Sequence, residues 1–337
     1  MAAVEGIDSE NVTAWVGDRI EGLKPPLEFA LIAGGHSNLT YKFVDTAGAA
    51  YVLRRPPLGH ILESAHDMAR EHRIVTALAG TEVPVPATFG LCEDKAVNGA
   101  PFYLMKFVEG TVPHDAEATS TIPPAERRTA GEHIVEVLAK LHNTDPEDVG
   151  LGDLARREAY LERQLKRWTK QWEATKTHEI PEMEESERLL HEHMPEQIGY
   201  SIVHGDYRIG NMIIADARMA ALLDWELCTL GDPLADVGYL LNNWTEPGES
   251  GAEASPIGIG GFPDRSYVCE VYEQRTGRDL SRINYYRAFS HWRLGAIMQG
   301  VYKRYLVGAM GHQDFDLDKY KRSIHQRAET ALRLLTT

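Results

Sequence analysis

The fold of this chain is decided by residues 201–226, which read SIVHGDYRIGNMIIADARMAALLDWE. Short apolar runs alternate here with Gly and Asp, a pattern typical of buried strands joined by tight loops. Asp206 is followed by Asn211 five positions later and by Asp224 thirteen positions after that. If the second and third apolar runs pair as a hairpin, Asn211 and Asp224 lie together at one end of it, and a loop just before the hairpin carries Asp206.

Two oxygen ligands beside a free carboxylate form the arrangement that magnesium-assisted phosphoryl transfer requires. Each residue alone has a plainer interpretation, because Asp and Asn are common turn residues whose side chains hydrogen-bond their own backbone. The joint spacing, with His204 and Gly205 directly before Asp206, favours the catalytic interpretation. The sequence therefore predicts a phosphoryl-transfer centre in this stretch.

Composition argues against several other classes of function. The 337-residue chain is 43% hydrophobic and 25% charged, which predicts a sizeable core divided between two domains. A net charge of -15 argues against nucleic acid as a partner. Three cysteines and no apolar run long enough to cross a bilayer predict a soluble, cytoplasmic protein with reduced thiols and no membrane partner.

The N-terminal third has the pattern of an antiparallel sheet. Strands are predicted at residues 27–33, 39–45, 51–55, 87–92 and 101–107, with a helix at 63–79. The turn after the first strand, GGHSN at 34–38, is placed to cover phosphates with backbone amides, although Gly-rich hairpin turns are usually only turns. Arg54 on the third strand and Glu71 on the helix have the types expected of a kinase cation and its helix carboxylate.

The rest of the chain is mainly helical in pattern. Helices are predicted at residues 125–142, 153–176, 234–243, 265–276, 282–307 and 317–335, with a loop at 246–263. Arg293 falls on an apolar stripe of the penultimate helix, where it either faces a cleft or pairs structurally. Neither a zinc-type histidine pair nor a Gly-x-Ser-x-Gly elbow occurs, so zinc-enzyme and serine-hydrolase interpretations have little support.

Together these motifs resemble the aminoglycoside phosphotransferase family, small-molecule kinases with a protein-kinase-like fold. HGDxxxxN and LLDWE carry most of the resemblance, while GGHSNLTY, YVLRRPP and GDPLADV resemble a branch that includes kinase-like domains fused or adjacent to acyl-CoA dehydrogenases. The resemblance implies a bilobal α+β fold. A nucleotide-binding lobe with a five-stranded antiparallel sheet and a helix would span residues 1–107, and a larger helical catalytic and substrate lobe would span 108–337.

The resemblance also implies roles for individual residues. Asp206 would be the catalytic aspartate that accepts or orients the acceptor hydroxyl proton, and Asn211 and Asp224 would be the magnesium ligands. Arg54 falls where most kinases have lysine, with Glu71 as its partner. The remaining nucleotide-binding positions, in the phosphate-covering loop and the hinge that faces adenine, are Ser37, Asn38, Met105, Lys106 and Val108.

The predicted function is transfer of the γ-phosphoryl group of ATP, with Mg²⁺, to a hydroxyl of a small molecule. The acceptor stays open between an aminoglycoside, a hydroxyacyl-CoA and another metabolite. An anionic CoA ester would need basic residues near the cleft, for which Arg293 and Arg304 are candidates. The alternative is a non-catalytic nucleotide-binding pseudokinase or scaffold, because the Gly-rich turn lacks a full GxGxxG and Arg54 offers a planar fork instead of a lysine's point charge.

Overall fold

A five-stranded antiparallel sheet forms the N-terminal part of the protein, whose computed structural model describes residues 4–33, 38–58, 67–308 and 315–337. Its strands are Glu28–Ala33 (β1), Leu39–Val44 (β2), Ala50–Arg55 (β3), Thr88–Cys92 (β4) and Phe102–Lys106 (β5). Their order in the sheet is β1-β2-β3-β5-β4. Arg54 on the central strand β3 lies opposite Thr40 of β2 on one side and Tyr103 of β5 on the other.

The two faces of this sheet have different side chains because successive residues of a strand point to opposite faces. One face packs a buried apolar cluster that includes Tyr41, Leu53 and Leu104 against the first helix, Ser9–Gly17 (α1). The other face carries Val52, Tyr103 and Met105, which contact Met68 of the next helix, Met68–Leu78 (α2). Alternation therefore places Arg54 on the face that α2 covers.

The larger part of the chain is helical and shares one continuous hydrophobic core. The helices after α2 are Lys95–Asn98 (α3), Ala116–Ser120 (α4), Pro124–Asn143 (α5), Tyr160–Thr175 (α6), Pro181–Glu192 (α7), Leu234–Asn242 (α8), Arg265–Thr276 (α9), Ile283–Leu306 (α10) and Leu317–Thr336 (α11). The long helix α10 packs against α11, α8 and α6.

Two small antiparallel pairs position the stretch quoted at the outset. Ser201–Val203 (β6) pairs with Thr229–Gly231 (β9), and Met212–Ala215 (β7) pairs with Arg218–Leu222 (β8). The predicted hairpin is therefore confirmed. Its tip, Asp216-Ala217, has positive φ at both residues (49° and 57°), as a tight two-residue hairpin turn requires. At its open end the Leu223 amide donates to the Asn211 carbonyl at 2.8 Å, which brings Asn211 beside Asp224.

The α+β kinase-like architecture agrees with the prediction, and the differences are local. The helix predicted at 153–176 begins only at Tyr160, because the preceding residues form turns and Ala159 has a left-handed φ of 50°. The helices α3 and α4 and the pairing of β6 with β9 were not predicted. Of the helix predicted at 63–79, residues 63–66 lie outside the described residues.

Other predictions concern location and boundaries. Among the described residues, no helix is long and apolar enough to cross a membrane. Cys92 and Cys228 are buried, Cys269 is half-buried, and all three are free thiols. The lobe boundary between residues 107 and 108, the cytoplasmic location and the absence of nucleic-acid or membrane partners stay predictions.

Candidate active site

Asp206 lies in the loop between β6 and the hairpin, where Asn211 fixes its side chain. The Asn211 side-chain nitrogen donates to Asp206 Oδ2 at 2.7 Å and to the Asp206 backbone carbonyl at 2.9 Å. Arg208 Nε also points at Oδ2, from 3.4 Å. Because the amide nitrogen of Asn211 is committed to Asp206, its oxygen is the atom that can ligate a cation.

A buried carboxylate on α8 fixes the backbone of this loop. Asp236 accepts the amide hydrogens of His204 at 2.7 Å and Gly205 at 2.9 Å. Burial raises the pKa of Asp236, but the hydrogen bonds from His142 and from the Gly205 amide hold the pKa below its ordinary value. Asp236 therefore stays ionised and clamps the peptide groups directly before Asp206.

His142 completes this clamp from helix α5. Burial lowers its pKa, so the imidazole is neutral. Its Nε2 lies 3.3 Å from Asp236 Oδ2, and its Nδ1 lies 2.7 Å from the Tyr272 hydroxyl. An acceptor carboxylate on one side assigns the ring proton to Nε2, so Tyr272 donates to Nδ1.

Gly205 is required by its surroundings. Its φ is +84°, and a Cβ at this position would lie 2.7 Å from the Leu227 carbonyl oxygen. Both the backbone conformation and the close approach of the Leu227 segment exclude a side chain. The glycine before Asp206 thus allows the loop to pack against the segment that follows Trp225.

Arg54 joins the sheet to the hairpin through two carboxylates. Its Nε lies 2.7 Å from Glu71 Oε1, and a terminal nitrogen lies 2.6 Å from Asp224 Oδ1. Its other terminal nitrogen donates to Thr40 Oγ1 at 3.2 Å. The structure thus brings Arg54 and Glu71 together as predicted, and it adds a contact with the predicted metal ligand Asp224.

The electrostatics of this pair follow from its burial. The Arg54 side chain is 11% exposed and that of Glu71 only 2%. Burial raises the pKa of Glu71, although Arg54 and a 3.0 Å hydrogen bond from Tyr103 oppose that rise. Burial disfavours the charge of Arg54, but attraction to Glu71 and Asp224 outweighs it and raises the pKa of Arg54. The ionised form of each group is therefore stabilised by the opposite charge of its partner.

The oxygen atoms near the open end of the hairpin suit Mg²⁺. Asn211 supplies an amide oxygen, and Asp224, with a left-handed φ of 66°, supplies a carboxylate. Hard oxygen donors of this kind match Mg²⁺, which usually takes one or two protein ligands and completes its shell with water and phosphate oxygens. These donors fit the predicted ion, although Asp224 is engaged with Arg54 in this structure.

A cavity of about 700 Å³ opens beside these groups, between the sheet and the hairpin. Met105 is buried, Lys106 is exposed and Val108 is half-buried, and all three predicted hinge residues line the cavity. Arg54, Glu71, Asn211 and Asp224 line it as well, and its apolar walls include Val52, Phe107, Ile213 and Leu222. An apolar slot beside a charged end matches the shape and chemistry of a nucleotide.

The phosphate-covering turn is described only in part. Ser37 lies outside the described residues, so its predicted contact stays a prediction. Asn38 is buried, and its side-chain nitrogen lies 3.3 Å from Glu71 Oε2 and 3.4 Å from Glu226 Oε2. Asn38 therefore links the end of the turn to α2 and to the residue two positions after Asp224.

A second cavity, of about 600 Å³, lies on the other side of Glu71 and Trp225. Four arginines line it, together with an apolar patch: Arg70, Arg167, Arg293, Arg304, Trp168, Ile297, Val301 and Leu227. Arg293 donates to the Gly205 carbonyl at 3.1 Å, and Arg70 donates to the Cys228 carbonyl at 2.7 Å. Among the described residues, none of these arginines forms a salt bridge with a carboxylate.

This geometry agrees with the comparison to known proteins. Residues 28–267 match the model of the phosphotransferase enzyme family. The chain belongs to that family. Its match begins at the first strand of the sheet, continues through the hairpin and ends in α9. It therefore includes every predicted catalytic, nucleotide-binding and metal-binding residue, but not Arg293, the predicted substrate residue.

Two curated relatives carry the name of another enzyme. Acyl-CoA dehydrogenase family member 10 of Mus musculus is 38% identical over 290 residues, which are 84% of this chain and 27% of that protein. Acyl-CoA dehydrogenase family member 11 of Homo sapiens is 31% identical over 341 residues, 97% of this chain and 43% of that protein. The chain thus spans less than half the length of each. These names match the branch predicted from the sequence.

Solved structures share the whole fold. A Ralstonia eutropha protein provisionally named an aminoglycoside phosphotransferase superposes with a TM-score of 0.81 at 36% identity, covering 98% of both chains. Aminoglycoside phosphotransferase APH(4)-Ia, in a ternary complex with AMP-PNP and hygromycin B, superposes with a TM-score of 0.61 at 16% identity. That alignment covers 91% of this chain and 93% of the other, and at this identity it shows the fold alone.

Several residues of the site have no counterpart among the predictions. Asp236 binds the backbone of the loop that carries Asp206, and the signal for it was a lone acid within the apolar run LADVGYLL. Arg167 lies in a heavily charged helix, and such a charge run usually indicates a solvent-exposed face. Tyr103 and Glu226 follow no pattern that separates them from ordinary strand and loop residues. Arg293 does face a cleft, but its role toward a substrate stays a prediction.

Proposed function

We propose that the protein is a small-molecule kinase that transfers the γ-phosphoryl group of ATP, with Mg²⁺, to a hydroxyl. The observation that carries the proposal is the connected set of contacts from Asp206 through Asn211 to the hairpin end, and from Asp224 through Arg54 to Glu71. A solved neighbour with the same fold binds the ATP analogue AMP-PNP, which supports ATP as the donor.

In this proposal each residue has one task. Asp206 accepts the proton of the attacking hydroxyl, with Asn211 and Arg208 holding its carboxylate in one orientation. Asn211 and Asp224 would hold Mg²⁺, which would supply positive charge to neutralise the phosphates. Arg54 is released from Asp224 toward the phosphates but remains paired with Glu71. Met105, Lys106 and Val108 line the adenine slot. Transfer then depends mainly on positioning and charge neutralisation.

The acceptor is best described as a hydroxylated anion. Aminoglycosides are polycations, and the four arginines of the second cavity outnumber its acids Asp67, Glu71 and Glu226, of which Glu71 is already paired with Arg54, so the excess positive charge would oppose their binding. A hydroxyacyl-CoA has anionic phosphates for those arginines and an acyl chain for the apolar patch of Trp168, Ile297 and Val301. The names of the curated relatives point to the same class of metabolite. We therefore favour a hydroxyacyl-CoA or a similar anionic metabolite over an aminoglycoside.

An ADP-release screen tests both parts of the proposal. Purified protein is incubated with Mg·ATP and, separately, with aminoglycosides, hydroxyacyl-CoAs and choline-like amino alcohols, beside Asp206→Ala as the inactive control. We expect ADP release above the control only with anionic hydroxyl compounds. Release with aminoglycosides alone would contradict the acceptor class while leaving the kinase assignment intact.

The pseudokinase alternative gives a different result. A nucleotide-binding scaffold would bind ATP without dependence on Mg²⁺ and would release no ADP with any acceptor. The complete set of Asp206, Asn211 and Asp224 favours the kinase, because a scaffold has no need of all three. Calorimetric titration of ATP with and without Mg²⁺ separates the two.

A further inference from the structure

The loop that carries Asp206 runs between the two cavities. Gly205, directly before Asp206, lines the second cavity, and Gly210 and Asn211 line the first. With the nucleotide in the first cavity and the acceptor hydroxyl in the second, the transferred phosphoryl group must therefore pass this loop. The loop also carries one arginine, Arg208.

A tight turn brings Arg208 beside the predicted base. The amide of Asn211 donates to the Arg208 carbonyl at 2.9 Å, which closes the 3₁₀ turn Ile209–Asn211. The Asn211 side-chain nitrogen and Arg208 Nε consequently approach the same oxygen, Asp206 Oδ2, from 2.7 Å and 3.4 Å. The guanidinium of Arg208 therefore lies next to both the predicted base and a predicted metal ligand.

The terminal nitrogens of Arg208 extend past Asp206 and lie over Gly210. A Cβ on Gly210 would collide with Arg208 Nη1, whereas the nearest atom of any other residue would be the His114 Cα, at an ordinary 3.6 Å. Gly210 and His114 both line the nucleotide cavity. The lack of a side chain at residue 210 therefore gives the guanidinium a place at the wall of that cavity.

The charge of Arg208 is only weakly paired. Its 3.4 Å contact with Asp206 is long, the side chain is 38% exposed, and among the described residues the guanidinium forms no other hydrogen bond or salt bridge. Arg54, by contrast, is buried against two carboxylates at 2.7 Å and 2.6 Å. Arg208 thus keeps terminal N–H groups for an anion, and a planar guanidinium suits phosphate oxygens.

We propose that Arg208 is a catalytic residue that donates hydrogen bonds to the γ-phosphoryl group while this group moves from ATP to the acceptor. The inference rests on the proposed function, in which Asp206 takes the proton of the acceptor hydroxyl. The acceptor oxygen bonds to the γ-phosphorus, the bond from this phosphorus to the β–γ bridging oxygen breaks, and ADP leaves with the electron pair. Arg208 stabilises the negative charge on the transferred oxygens and is not itself changed.

The competing role for Arg208 is to orient the carboxylate of Asp206 and nothing more. Calorimetry of Mg·ADP with and without aluminium fluoride, which mimics the transferred phosphoryl group, separates the two roles. Water can take the place of the hydroxyl, so no acceptor is needed. We expect the full-length wild type to bind the aluminium fluoride complex about 100-fold more tightly than Mg·ADP, and Arg208→Met to lose most of this gain while its affinity for Mg·ADP stays unchanged.

The same measurement in Asp206→Ala decides which group Arg208 acts on. If Arg208 contacts the phosphoryl group itself, Arg208→Met still weakens binding of the aluminium fluoride complex about tenfold or more when Asp206 is already absent. If Arg208 acts through Asp206, the second substitution has no further effect.

Turnover is measured on the same variants with Mg·ATP and 3-hydroxybutyryl-CoA. Arg208→Met should lower kcat about 100-fold with little change in the KM for Mg·ATP, because the contact forms only during transfer. Gly210→Ala keeps the arginine but displaces its guanidinium, and it should lower kcat about tenfold or more. Arg218→Met, which alters an exposed arginine near the tip of the hairpin, is the matched control and should change neither quantity.

The outcomes separate this inference from the proposed function. Wild-type affinity of Arg208→Met for the aluminium fluoride complex would overturn the inference, as would an effect of Arg208→Met that disappears in Asp206→Ala. If the proposed function fails, the wild type itself binds the complex no more tightly than Mg·ADP, and the inference is lost with it. If the wild type binds the complex but does not phosphorylate 3-hydroxybutyryl-CoA, only the acceptor class is contradicted, and the affinities still decide the role of Arg208.

Discussion

The two cavities on either side of Glu71 and Trp225 differ in the partners of the arginines that line them. In the first cavity Arg54 is paired with both Glu71 and Asp224. In the second, Arg70 and Arg293 donate to backbone carbonyls. Arg293 also lies over the ring of Tyr239, and Arg167 lies over the ring of Trp168. Both cavities are lined by arginines and carboxylates, but among the described residues only the first has a lining arginine, Arg54, that forms salt bridges with carboxylates.

This difference bears on what each cavity binds. Arg54 has one positive charge and its two carboxylate partners have two negative charges, so this group is net negative and an anionic ligand there must bring its own cation, as Mg·ATP does. The second cavity is lined by four arginines and by Asp67, Glu71 and Glu226, and because Glu71 is already paired with Arg54, positive charge exceeds negative charge there and gives a positive potential that favours an anionic ligand. The chain as a whole carries a net charge of -15, so its general surface does not provide this potential.

The largest effect is expected at the loop between the cavities. Asp206→Ala should reduce turnover by about 10²–10⁴-fold, because it removes the base and nothing else in the loop replaces it. The affinity for Mg·ATP should stay unchanged, since Asp206 is not among the residues that line the nucleotide cavity. Steady-state kinetics and calorimetry measure the two quantities. Asp318→Ala, an exposed acid in the first turn of α11, is the matched control.

Removing the salt bridges of Arg54 with Glu71 and Asp224 should destabilise the folded protein. Arg54→Met leaves Glu71 buried with no cation, which should lower the free energy of unfolding by about 3–5 kcal/mol. Arg54→Lys keeps the charge and should cost less. Urea denaturation monitored by circular dichroism measures both. Equal losses for the two variants would show that the planar fork, and not the charge, stabilises the pair.

The loss of stability in Arg54→Met should also depend on pH. Burial already raises the pKa of Glu71, and without Arg54 the opposing attraction is gone, so the folded-state pKa rises further. A carboxyl with a raised folded pKa stabilises the fold fully below its unfolded pKa and progressively less as pH rises through the folded value. Arg54→Met should therefore recover stability relative to wild type as pH falls from 7.5 to about 5. A pH-independent difference would contradict this account.

Removing the metal ligand should have a smaller effect, on binding. Asp224→Ala should weaken ATP about a hundredfold in the presence of Mg²⁺ and leave Mg²⁺-free binding nearly unchanged. Calorimetry at both conditions measures the difference. Equal weakening with and without Mg²⁺ would assign Asp224 a structural role through Arg54 only.

The smallest effects are expected in the second cavity. Arg167→Met and Arg304→Met should each raise the KM for an anionic acceptor about tenfold with little change in kcat, because each removes one attraction present before and during the reaction. Arg322→Met, on the exposed side of α11, is the control. If neither variant raises the KM for the anionic acceptor, or if either lowers it, the second cavity does not bind the acceptor through these arginines.

The sequence was most informative where one local pattern determines one local structure. Alternation and Gly-rich turns located the five strands of the sheet, and the two apolar runs between Asn211 and Asp224 predicted the β7–β8 hairpin. It was least informative where side chains far apart in sequence meet. The clamp of Asp236 on His204 spans 32 positions, and the contact of Arg54 with Asp224 spans 170.

The second cavity shows the same limit. Arg167 belongs to α6, which has as many charged residues as apolar ones, and a charge run of that kind is usually a solvated face. Only the packing of α6 beside α10 turns Arg167 toward Arg293 and Arg304. Helix periodicity gives the faces of each helix but not which faces share a cavity, so the acceptor site could not be assembled from sequence.

One measurement tests the central claim most directly: transfer of ³²P from γ-labelled ATP to 3-hydroxybutyryl-CoA by the wild type, with Asp206→Ala and Mg²⁺-free reactions beside it. The account predicts a labelled CoA ester that forms only with Mg²⁺ and only with Asp206 in place, while the aminoglycoside hygromycin B gains no label. Label in hygromycin B but not in the CoA ester, or label in the ester with Asp206→Ala at the wild-type rate, would contradict it.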